Sequence, residues 1–77
     1  MALLSELSPG TRATLTQVGG ERSFRRRLME LGFLPGTRVR IVRRTRVGDL
    51  LEIEVRGCHV SIRSTEARAL EVSELNG

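Results

Sequence analysis

Polar and apolar residues alternate one for one over two consecutive stretches of the chain. Leu51, Ile53 and Val55 alternate with Glu52, Glu54 and Arg56; after Gly57, Cys58, Val60 and Ile62 alternate with His59, Ser61 and Arg63. A period of two predicts half-buried strands, and Arg56-Gly57 between them predicts a two-residue hairpin turn. That turn sets a register in which Val55 faces Cys58, Ile53 faces Val60 and Leu51 faces Ile62, so inward positions meet inward positions. Upstream, Val39 and Ile41 alternate with Arg38 and Arg40 in a strand running on through Val42 and Arg43, which Val47-Gly48-Asp49 folds back. Arg12 to Val18, with Ala13, Leu15 and Val18 apolar, predicts a first strand, and Ala69 to Val72 a short last one. Before that last strand, Ser64-Thr65-Glu66-Ala67 predicts a helical turn capped by Ser64 or Thr65.

Between the first two strands the period changes. Phe24, Leu28 and Leu31 follow i, i+4, i+7 spacing, predicting a helix over about residues 22–31 that Gly32 ends, with Gly19-Gly20 as the break before it. Pro9-Gly10-Thr11-Arg12 and Pro35-Gly36-Thr37-Arg38 echo one another. Pro followed by Gly favours a type II turn, and each copy launches a strand. The echo is one turn solution used twice.

Five short strands, one helix in the first long connection and a closing helical turn predict a mainly β protein. The expected architecture is a small SH3-like β-barrel over residues 1–77 as a single domain, because closure hides the edges of so short a sheet. Phe24, Leu28, Leu31, Val39, Ile41, Leu51, Ile53, Val55, Val60 and Ile62 are its expected core, with the helix plugging one open end.

Composition narrows the function. The chain has 77 residues, 13 Lys+Arg against 9 Asp+Glu and a net charge of +4, and every one of the cations is arginine. A domain this small can hardly spare core volume for a deep substrate cavity. One cysteine fits a reducing cytosol, no apolar run approaches a membrane span, and the N-terminus lacks the features of a signal peptide. Cytoplasmic localisation is expected. Cys58 and His59 are the obvious nucleophile and metal candidates, yet strand neighbours point to opposite faces. Alternation sends Cys58 inward and His59 outward, opposite Glu54. No other Cys or His completes a ligand set, Glu52 and Glu54 share a face with Arg38 and Arg40 and are expected to pair with them, and no phosphate-binding glycine loop is present. No catalytic, cofactor-binding or metal-ligating residue is assigned, and an enzyme is not expected.

Interaction residues are a better prospect. On the predicted helix Arg22, Arg25 and Arg26 lie opposite the apolar face, with Met29 among them and Glu30 at the rim; this stripe would suit phosphates or an acidic protein surface. Val47 and Leu50 flank a tight turn and form a second candidate contact, rimmed by Arg46. Nucleic-acid binding is not expected: the two aromatics, Phe24 and Phe33, have core or turn duties, and interleaved acids weaken the field. An unpaired sheet edge would support weak self-association.

Arg26-Arg27-Leu28-Met29-Glu30-Leu31-Gly32-Phe33-Leu34-Pro35-Gly36-Thr37 resembles the helix-to-turn signature of FeoA proteins. The resemblance continues through Val47-Gly48-Asp49, Val55-Arg56-Gly57 and Ser64-Thr65-Glu66-Ala67, and covers about Leu3 to Val72. It implies an SH3-like fold, which agrees with the one expected from the pattern. It also implies a cytoplasmic, non-enzymatic accessory of bacterial ferrous-iron uptake that docks on the GTPase-bearing cytoplasmic part of the membrane permease FeoB, peripheral to the membrane only through that partner. Transition-metal handling belongs to the same context. The family's loop typically has prolines around Gly-Asp, where this chain has Arg46 and Leu50; prolines would stiffen that tip. Two alternatives remain at this point. One is a freestanding module of the metal-dependent repressor type, binding metal or protein in iron regulation, although the start at Met1 leaves no room for a DNA-reading domain. The other is a small nucleic-acid-binding barrel.

Overall fold

A computed structural model describes residues 2–75. Six strands form one antiparallel sheet: β1 (Ala2–Leu3), β2 (Arg12–Val18), β3 (Arg38–Thr45), β4 (Leu50–Val55), β5 (Cys58–Arg63) and β6 (Leu70–Glu74), in the order β1-β6-β2-β3-β4-β5. Helix α1 (Arg22–Glu30) connects β2 to β3, and the four-residue α2 (Ser64–Ala67) connects β5 to β6. The expected mainly β, SH3-like architecture is present with its helix in the expected connection. Two details differ. A short β1 and a 3-10 turn at Leu4–Glu6 precede the first expected strand. Among the described residues no ladder joins β1 to β5, so the sheet wraps the core without closing into a barrel. Very short edge strands limit what such an opening exposes, and β1 is only two residues long.

The hairpin β4–β5 has the register that alternation dictates, with Val55, Ile53 and Leu51 opposite Cys58, Val60 and Ile62. Its turn places both central residues at positive φ, 53° at Arg56 and 79° at Gly57, as a type I′ turn requires. The Pro-Gly echo is a structural one as well. In the first copy, Gly10 N–H donates to Ile41 O (2.7 Å) and Ile41 N–H to Thr11 O (3.0 Å). In the second, Gly36 N–H donates to Leu15 O (2.7 Å) and Leu15 N–H to Thr37 O (2.8 Å). Since Ala13 pairs with Val39, Arg12 with Arg40 and Thr14 with Arg38, a local two-fold axis through the Ala13–Val39 pair relates the two loops.

The core comprises Leu4, Leu7, Ala13, Leu15, Leu28, Phe33, Val39, Ile41, Leu51, Ile53, Val55, Ile62, Ala67, Leu70 and Val72, all buried. Phe24 and Val60 pack against it only partly buried. Leu31, expected inside, is 45% exposed. The helix stops one turn position earlier than the spacing suggests, and its end explains the exchange. Phe33 N–H donates to Leu28 O (2.9 Å) and Gly32 N–H to Met29 O (3.0 Å), with Gly32 at φ +105°. This pair of bonds is a Schellman ending, which brings the residue after the glycine back over the last turn. Phe33 therefore takes the buried position and Leu31, the C-cap, turns outward.

Cys58 is also corrected: it is exposed rather than inward. Alternation sets the face on which it lies, but it starts the edge strand, beside the hairpin turn, with a strand neighbour on one side only. The helical turn α2 is not capped by Ser64 or Thr65. Arg63 stands at its N-cap, and the Glu66 carboxylate accepts the Arg63 N–H at 2.9 Å. Ser64 instead faces the β3–β4 turn, where its N–H donates to Asp49 O (3.0 Å) and its hydroxyl to Asp49 Oδ1 (2.9 Å).

Candidate docking surfaces

Only one residue of α1, Leu28, is fully buried. A nine-residue amphipathic helix held by so narrow a contact leaves most of its circumference to solvent. Arg22, Arg25, Arg26 and Met29 come together, as expected from the helical spacing, on one wall of an open groove of about 750 Å³. Thr16, Gln17 and Val18 of β2, with Glu30 and Pro35, complete its lining. Met29 is 48% exposed there. The strand residues are absent from the sequence-based candidates because they come to the helix only through the fold. One signal points to them: Thr16-Gln17 interrupts the alternation of β2, and the register with β6 shifts between Leu15 and Gln17.

The arginines of this groove differ from the others in what they touch. Arg27, one position on, leans over the Phe24 ring at 5.7 Å and pairs with Glu66. Across the outer face of the sheet Arg40 pairs with Glu54 (3.0 Å) and Arg43 with Glu52 (3.4 Å). His59 stands beside both carboxylates, Nδ1 at 3.5 Å from Glu52 and Nε2 at 3.7 Å from Glu54. The expected pairing of Glu52 and Glu54 with β3 is thus made by Arg40 and Arg43, not Arg38. Hydrogen bonding to Arg40 and its positive charge hold the Glu54 carboxyl below its ordinary range. The Arg63 N–H and then Arg27 do the same for Glu66. A register shift between Ile41 and Arg43 turns Arg44 to the other face, opposite Leu51, where its guanidinium reaches Ser5 O at 2.6 Å. No side-chain hydrogen bond or ion pair among the described residues engages Arg22, Arg25 or Arg26.

The second candidate splits in two. Val47 is 90% exposed at the tip. Leu50 is half-buried and lines a separate shallow pocket with Arg27, Leu31 and Ile62. The tip is also less free than its lack of prolines suggests, because Asp49 is tied to Ser64 and the Thr45 hydroxyl bonds Leu50 N–H and O, both at 3.3 Å. Among the described residues no group of three His, Cys, Asp and Glu side chains is arranged to hold a metal ion, and no helix is long and apolar enough to cross a membrane.

Comparison with known proteins gives the family. Residues 2–74 match the model of the FeoA domain. The chain belongs to the FeoA family. A FeoA protein from Chlorobium tepidum, solved in solution, superposes with a TM-score of 0.92 at 38% identity, covering 99% of this chain and 72% of that one. A FeoA from Stenotrophomonas maltophilia, solved in complex with zinc and described as an SH3 domain protein, has a TM-score of 0.81 at 34% identity over 95% of this chain and 91% of that one. An Fe(2+) transport protein A/Fe(2+) transporter FeoB fusion protein of Porphyromonas gingivalis is 33% identical over 69 residues, which is 90% of this chain. This FeoA chain spans only 8% of that fusion protein's length.

Proposed function

We propose that this FeoA protein is a non-enzymatic, cytoplasmic accessory of bacterial Fe2+ uptake that docks on the GTPase-bearing cytoplasmic part of a FeoB-type membrane permease. The observation that carries the reading is the Porphyromonas gingivalis relative, in which a FeoA region and a FeoB transporter are one chain. Two modules joined by a linker meet at an effective concentration on the order of millimolar. A surface with affinity of its own turns that encounter into a bound state. The α1 wall, with Arg22, Arg25, Arg26 and Met29, supports that role, and the exposed Val47 and, separately, Leu50 beside Arg27 and Leu31 supply smaller contacts. Small rigid modules that bind through a few exposed side chains gain most of their affinity from such clusters.

The test is retention of FeoB's soluble cytoplasmic region by the immobilised protein, with and without guanine nucleotides. Retention above background in at least one nucleotide state is the expected result. Background retention in every state would overturn the docking reading.

A further inference from the structure

The groove between α1 and β2 has features that stability does not explain. Arg22 opens the helix and Arg25 and Arg26 follow within its second turn, while its first turn holds no acidic residue. Cations at the positive end of a helix dipole are unfavourable, and none of these three side chains forms a hydrogen bond or ion pair to offset it, the N-cap Glu21 included. The neighbouring strand is half-open. β3 pairs with β2 only over Arg12–Thr14, and the last bonds on that side are those between Leu15 and the Gly36-Thr37 turn. Beyond Leu15 the ladder skips the bulged Thr16 and continues through Gln17 and Val18 with β6 alone, and Thr16, Gln17 and Val18 line the groove beside the arginines. Met29 adds an exposed apolar contact between the charged groups.

From this juxtaposition we infer that the α1–β2 groove takes an extended acidic peptide segment carrying an apolar side chain. The segment lies alongside residues 16–18, sets its carboxylates on Arg22, Arg25 and Arg26, and rests its apolar side chain on Met29. An extended ligand suits an open strand edge, where main-chain groups supply affinity and alternate side chains supply selectivity; a helical ligand has no main-chain groups left to offer. Carboxylates suit arginine forks. Single-stranded nucleic acid fits less well, because stacking needs exposed aromatic faces: Phe33 is buried, and Phe24 is covered by Arg27 away from the groove. Glu30 also lines the groove and repels a carboxylate set beside it. The inference deepens the docking reading above and rests on it for its biological partner.

Fluorescence anisotropy on the full chain at low salt tests it, with three labelled probes: a peptide alternating Glu and Leu, the same peptide with Gln for Glu, and a single-stranded oligonucleotide of equal charge. The Glu/Leu peptide binds, and the Gln/Leu peptide binds at least about tenfold more weakly. Arg25→Glu combined with Arg26→Glu costs at least about tenfold, Met29→Ser about three- to tenfold, and Arg56→Glu, outside the groove's lining and matched per residue in charge, less than about twofold. Circular dichroism of each variant establishes that it is folded. The inference is overturned if the Glu/Leu peptide does not bind, if Arg56→Glu weakens it as much as the helix variant, or if the oligonucleotide binds as tightly as the peptide. Retention of FeoB's cytoplasmic region separates the two readings. Equal retention by wild type and by Arg25→Glu/Arg26→Glu sinks this inference and leaves docking standing. A peptide that binds the groove while FeoB's region is not retained leaves the groove's chemistry standing and sinks docking.

Discussion

Two surfaces of this molecule use the same side chain in opposite ways. On the outer face of the sheet, arginines and glutamates stand in cross-strand rows, Arg40 to Glu54 and Arg43 to Glu52, with His59 beside both acids. On α1, Arg22, Arg25 and Arg26 face an open groove with no internal partner. The difference follows from geometry. Neighbouring strands bring side chains within about 5 Å of one another, and the β3–β4 register sets Arg40 opposite Glu54 and Arg43 opposite Glu52. On α1, Arg27 finds Glu66 on one side, while the groove side looks onto Thr16, Gln17, Val18 and Pro35, none of which is an anion. Charge paired inside the molecule contributes to the fold, while charge left unpaired is available to a second molecule.

The largest test of this contrast removes what holds the helix. Leu28→Ala deletes the single fully buried side chain of α1 and should lower the free energy of unfolding in urea by about 2–5 kcal/mol. A loss below about 1 kcal/mol would mean that the helix is secured elsewhere. On the paired face, Arg56 sits at φ 53° in the β4–β5 turn, a conformation that strains most side chains and suits Asn. Arg56→Asn should therefore stabilise by about 1 kcal/mol, read by the same urea titration; no gain would show that the turn is not strained.

Acid should act on the paired carboxyls. Glu54 and Glu66 titrate below the ordinary value of 4.5 in the folded protein. Their stabilisation is then complete above that value and is lost as the pH falls through the lower folded values. The melting temperature of the wild type should drop on the acid side, and Glu66→Gln should flatten that drop. An unchanged slope in the variant would contradict the assignment. The smallest effect is the most telling for the comparison: Arg43→Gln should cost at most about 1 kcal/mol, whereas Arg25→Glu should cost nothing and gain a few tenths through the helix dipole.

Much of the paired face was legible in the sequence, and much of the groove was not. The β4–β5 register follows from alternation and a two-residue turn, both local, and needs no knowledge of the rest of the chain. The helix and its arginine stripe follow from spacing, and the two Pro-Gly turns from their own residues. Failures occur where distant segments decide. Leu3 and Leu4 carry no periodic signal, and β1 exists because Ala2 and Leu3 pair with Val72 and Glu71 at the far end of the chain. Phe33 displaces Leu31 from the core because a backbone ending, not the helical period, sets the last buried position. Cys58 shows that alternation fixes a face and not a depth. The bulge that turns Arg44 toward Ser5 is invisible in Val42-Arg43-Arg44, which reads equally well as an unbroken strand. For the groove, the sequence supplied one wall, and the fold supplied Thr16, Gln17, Val18 and Pro35.

The central claim is that the bare arginines of α1 serve a partner and not the fold. It is tested most directly by measuring, on Arg25→Glu/Arg26→Glu, both urea stability and affinity for FeoB's cytoplasmic region. The account predicts stability unchanged to within about 1 kcal/mol and binding weakened at least about tenfold. Unchanged binding, or a loss of stability comparable to that of Leu28→Ala, would contradict it.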